Sequence, residues 1–99
     1  MGNKVINLPH GLANHRMKKN VDSISFKVTD DCNFCYSDPT PCFPSFMPAG
    51  SYTATNPPTT YGPYTPTQTG TVHYNATIPP TPCTVTGKKE TASSITVDS

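Results

Sequence analysis

Twelve prolines are spread through 99 residues, and no stretch between them carries a helical repeat. Each proline fixes φ and removes a backbone donor, and eleven of the twelve fall in 39–82, so long helices are excluded there. The one segment of helix-compatible residues, 12–20 (LANHRMKKN), has no cap and no 3.6-residue period. It reads as loop plus a short strand. What the chain does carry is period two. In residues 23–29, Ile24, Phe26 and Val28 alternate with Ser25, Lys27 and Thr29. In 70–78, Val72, Tyr74, Ala76 and Ile78 alternate with Thr71, His73, Asn75 and Thr77. That pattern belongs to strands with one buried face. Shorter β-prone runs lie at 4–8, 51–55, 83–88 and 93–97. Six or seven short strands separated by Pro/Gly turns predict one all-β domain, a small Greek-key β-sandwich spanning 1–99. Within it, 1–20 is an N-terminal strand and loop, 30–48 a Cys/Pro-rich loop, and 56–69 a Pro/Thr-rich loop. The loop 30–48 is expected to lack regular structure while its aromatic residues pack over one end of the core.

The core is modest, since a chain this short hides a smaller share of its surface than a large domain and is only 33% hydrophobic with no Trp. The net charge of +1 conceals an uneven distribution. Five Lys/Arg stand in 1–29 against Asp22 alone, and residues 39–87 hold no charged side chain. The pairs Lys18-Lys19 and Lys88-Lys89 come without an aromatic-basic stripe, so nucleic acid is not an expected partner. No apolar run is long enough to span a membrane. A charge-free Thr/Pro surface suits an extracytoplasmic or secreted protein, with any signal peptide already removed. Self-association into a surface filament or array would rest on the same surface. Gly2 does not begin a myristoylation motif, because Ile6 stands where Ser or Thr is required.

Four cysteines are the chemically distinctive residues. Cys32, Cys35 and Cys42 lie in DDCNFCYSDPTPCF (30–43), and Cys83 lies far downstream. In an oxidising compartment four cysteines read as two disulfides, for which three connectivities are open. A four-thiolate zinc site is the alternative, although only Cys32/Cys35 forms the close pair that such sites use. A thioredoxin-like redox motif requires a helix after Cys35, and none is expected.

The strand NVDSISFKV (20–28) running into the loop 30–37, the turn Pro48-Ala49-Gly50 before SYT, the segment GTVHYNA (70–76) and the closing Ile95-Thr96-Val97 together resemble the cupredoxin family of small copper-binding β-sandwiches. The resemblance covers most of 20–97. It implies a two-sheet sandwich whose ligand loops meet at one end. The family's copper thiolate position is taken here by Ala76, and the loop 77–84 holds neither His nor Met. His73 alternates outward, while His10 and His15 lie in the N-terminal segment. A trigonal imidazole–thiolate copper site is therefore not expected. The resemblance also implies that Cys32 and Cys35 lie near Cys83. The pairings favoured are Cys35–Cys42 and Cys32–Cys83. The alternative is copper or zinc held by Cys32, Cys35, Cys42 and Cys83 with His73, for storage or electron transfer.

Other candidates are weaker. Asp30, Asp31 and Asp38 could serve a hard cation or cap a turn, and capping is favoured. Asn75-Ala76-Thr77 is an N-glycosylation sequon inside a strand. Tyr61, Tyr64 and Tyr74 could line a ligand face. No paired carboxylates, triad motif or phosphate loop is present. The expectation is a non-catalytic module, without a cofactor, in a structural or binding role.

Overall fold

The computed structural model describes residues 2–37, 42–85 and 93–99. These form eight strands: β1 (Asn3–Leu8), β2 (Asn14–Lys18), β3 (Ser23–Val28), β4 (Cys32–Tyr36), β5 (Gly50–Tyr52), β6 (Thr60–Tyr64), β7 (Gly70–Thr77) and β8 (Ser93–Asp98), with no helix among the described residues. One sheet has the order β1-β3-β6 and the other β2-β8-β7-β4-β5. The two pack as a sandwich. The pairings β1 with β3 and β2 with β8 are parallel, and the rest are antiparallel.

The inner faces follow the alternation of the sequence. Ile6 and Leu8 of β1 and Ile24, Phe26 and Val28 of β3 face Met17, Ile95, Val97, Val72, Tyr74, Cys32 and Phe34 of the second sheet, all buried. Phe26 is the hub. Its ring lies 5.2 Å from Phe34, 5.5 Å from Phe46 and 5.8 Å from Tyr74. Tilted and edge-on aromatic pairs of this kind add to the burial itself, which is worth roughly 1.5–3 kcal/mol per large side chain. Tyr74 keeps its hydroxyl satisfied in the core by donating to the Ala13 carbonyl at 3.0 Å. The buried Ser93 hydroxyl donates to the Tyr74 carbonyl at 2.6 Å.

Several expectations need correction. The stretch 30–48 is not wholly irregular, because Cys32–Tyr36 pairs with both β5 and β7. The Pro/Thr-rich 56–69 contains β6. Its Pro63 is tolerated because β6 is an edge strand, where a missing N–H spoils no second ladder. Between Ile24 and Phe26 the β3–β6 register shifts. Gly62, at φ 115°, makes that irregularity possible, since an added Cβ would meet the Ile24 carbonyl at 3.0 Å. It also covers Ser25, which is 2% exposed although it faces away from the core. Ile78 lies just past β7 and is 55% exposed, not inward. Residues 83–85 form no strand; the remainder of 83–88, with Lys88 and Lys89, lies outside the described residues.

The turn at 18–23 gathers both ends of the described chain. Asp98 accepts the Lys19 amide at 2.8 Å, and the Gly2 carbonyl accepts the Ser23 amide at 2.8 Å. Asn20 occupies the left-handed region at φ 61°, which Asn tolerates better than most residues. Its amide donates to the carbonyl of the buried Pro66 at 2.8 Å.

Candidate functional site

β4 decides what the cysteines can do. Successive residues of a strand point to opposite faces, so Cys32 and Cys35, three apart, cannot share one. Cys32 and Phe34 point into the core and are buried, whereas Asn33 and Cys35 are half-buried on the outer face. Cys35 forms a disulfide with Cys83, Cα to Cα 5.9 Å. Cys32 and Cys42 are free, buried thiols. The favoured pairings Cys35–Cys42 and Cys32–Cys83 are thereby corrected, and the bond lies on the face of the sandwich instead of between end loops.

The disulfide pins a strap. After β7 the chain turns, with the Thr81 amide donating to Ile78 at 3.0 Å, and crosses back over the outer face of β7 and β4. Thr81's carbonyl accepts from Asn33 Nδ2 at 3.0 Å and from Thr77 Oγ1 at 2.8 Å. Thr84's carbonyl accepts from Asn75 Nδ2 at 3.2 Å. The Asn75 of the sequon thus spends its amide on the strap, and its Oδ1 accepts the Ala76 amide. Beside the strap lies an open depression of about 440 Å³, lined by Asn33, Cys35, Ala49, Ser51, Pro82 and Cys83 among others. Its surface is neutral, and Ser51 donates to Asn33 Oδ1 at 2.7 Å across its floor.

The two free thiols are chemically quiet. Burial pushes both above the ordinary thiol range, and Asp31 and Asp30 push Cys32 further in the same direction. A protonated, buried thiol is a poor nucleophile and a poor metal ligand. Cys42 packs on Gly70 so closely that an added Cβ there would lie 2.8 Å from its Sγ. That approach requires glycine, and the φ of 150° does too.

Comparison with known proteins returns no matching family model, no matching curated protein and no matching solved structure. The site must be judged on its own donors.

Those donors do not fit copper or zinc. Two of the four sulfurs are joined to each other, and the other two are thiols buried in the core. His10 pairs with Asp30 at 2.5 Å on the exterior. His15 lies on β2, an edge strand of the five-stranded sheet, with Nε2 buried and unpartnered. His73 is on β7, tied through its backbone to Ser37 at 2.7 Å and 3.2 Å. No group of three His, Cys, Asp or Glu residues converges among the described residues. Asp31 accepts the Ala54 amide at 2.8 Å, a capping role; Asp38 lies outside the described residues.

The proposed tyrosine face is rearranged. Tyr74 is a core residue. Tyr61 and Tyr64 instead meet other aromatics, among them those of 30–48 expected to pack on the core: Tyr61 lies 5.2 Å from Tyr52, and Tyr64 lies 5.6 Å from Phe46, which in turn contacts Tyr36 at 5.2 Å. Together they close the gap between β6 of one sheet and β4–β5 of the other. Tyr52 donates to the Pro48 carbonyl, and its hydroxyl is pushed up to about 12, first by burial and then by Tyr61, Tyr64 and Tyr36. Phe46 lies in a loop, where alternation carries no signal, and Tyr52 ends β5.

Proposed function

We propose that this chain is a non-catalytic, extracytoplasmic β-sandwich module of cupredoxin type, stapled by a disulfide and serving a structural or binding role. The observation that carries the reading is the Cys35–Cys83 bond, which joins β4 to the segment after β7 on the outer face. Disulfides persist in oxidising compartments and are rare in the cytosol. No described helix is long and apolar enough to cross a membrane. The strand leading to the Cys-rich stretch lies in one sheet and the Tyr-containing strand in the other, which supports the cupredoxin type. Of the candidate side chains, Cys35 and Cys83 are bonded to each other, Asp31 to a backbone amide and Asp30 to His10.

The test is mass spectrometry of the protein isolated from its own compartment, under native and denaturing conditions, with thiol titration. The expected mass lacks two hydrogens relative to the fully reduced chain and carries no metal. Two thiols should titrate, and only after unfolding. A protein isolated with four thiols and bound copper or zinc would refute the reading.

A further inference from the structure

The strap formed by residues 78–85 crosses a sheet without contributing to its core. Ile78, Pro79, Pro80, Thr81, Pro82 and Thr84 are exposed, and Cys83 and Val85 only half-buried. Among the described residues, three side-chain hydrogen bonds to two strap carbonyls and one covalent bond hold it down. Hydrogen bonds of this kind contribute little net free energy where water can replace either partner. With no buried apolar side chain in residues 78–85 to seat the strap, the disulfide is the strongest contact holding it closed among the described residues.

We propose that the Cys35–Cys83 disulfide is a thiol-exchange site, and that its reduction opens the strap while the sandwich stays folded. The depression bordered by Cys35 and Cys83 gives a small thiolate access to the bond. A thiolate attacks one sulfur and forms a mixed disulfide, and the other cysteine leaves as a thiolate that takes a proton from water. A second external thiolate then attacks the external sulfur of the mixed disulfide, forming the external disulfide and releasing the remaining protein cysteine as a thiolate that is protonated in turn. The protein bond gains two electrons and two protons, and two thiols are oxidised to one external disulfide. Cys32 and Cys42, shut in the core, take no part. Opening releases Asn33 Nδ2, Asn75 Nδ2 and Thr77 Oγ1, three donors on adjacent strands, and uncovers the sequon amide at Asn75.

The experiment treats the folded full chain at neutral pH with dithiothreitol, without denaturant, followed by alkylation, peptide mapping, circular dichroism and brief thermolysin digestion. Alkylation of Cys35 and Cys83 alone is expected, with the sheet signal retained. Cleavage between Thr84 and Val85 should quicken by at least about tenfold, as local opening without global unfolding requires. The Cys35→Ser/Cys83→Ser double variant should show the same rapid cleavage with no reductant. Simultaneous reaction of all four thiols with loss of the sheet signal would overturn the proposal. So would a reduced protein still protected at Thr84–Val85, or a double variant that cannot fold.

Discussion

Asp22 holds two backbone amides with one carboxylate, from Lys18 at 2.8 Å and from Gly2 at 3.1 Å. The Lys18 amide is the main reason its pKa lies below the ordinary 3.8, with smaller help from the N-terminus, Gly2 and Lys4 against some desolvation. A carboxylate with a depressed folded pKa stabilises above its unfolded value, and that stability is lost as pH falls through the folded one. His15 acts in a separate window. Burial first, then Lys4, lowers its pKa below 6.5, so the folded state resists the proton that the unfolded chain accepts. Its sign is the same: full stability above 6.5, declining as pH falls from there toward the folded value. Urea midpoints measured across this range should show two declines. His15→Asn should remove the one beginning near 6.5, and Asp22→Asn should blunt the one below 3.8. A variant profile parallel to that of the parent would refute the assignment.

At the scale of elements, β4 explains most of what the sequence hid. In CNFCY, apolar or sulfur-bearing residues stand at 32, 34, 35 and 36. The outward Cys35 therefore breaks the alternation that identified β3 and β7, and the following prolines reinforced the impression of a loop. β6 was hidden by Pro63 for the same reason, since edge position, which tolerates proline, is set by the whole sheet and not by the local residues. The consequence for stability is measurable. A bridge spanning 48 residues is worth roughly 4 kcal/mol in the chain-entropy model if the native state is unchanged. If losing the bond also frees the strap, the native state recovers entropy too. Unfolding of the Cys35→Ser/Cys83→Ser variant should then show a loss clearly below about 4 kcal/mol. Cys32→Ser, which buries an unpaired hydroxyl in the core, should cost about 1–3 kcal/mol. Equality of the first loss with the full chain-entropy value would mean that the strap stays docked.

For the molecule as a whole, the all-β sandwich was readable because alternation in 23–29 and 70–78 fixes which side chains go inside. The parallel placement of β1 on β3 and of β2 on β8 was not, because nothing local to those short strands marks their partners. Those two pairings have a geometric result. β1 starts beside Ser23 and β8 ends beside Lys18, so Gly2 and Asp98 are both bonded to the single turn 18–23. Entry and exit of the chain therefore share one spot on the surface, as in folds that accept new connectivity. A short Gly/Ser linker from Ser99 to Gly2, with new ends opened between Pro79 and Pro80 in the strap, should give a circular permutant that retains the sheet signal and cooperative unfolding of its parent. Loss of cooperative unfolding would show that the 18–23 turn needs its present ends. The same closeness would let the module sit inside a loop of a host protein like a bead threaded through one hole, displacing the host's two loop ends very little.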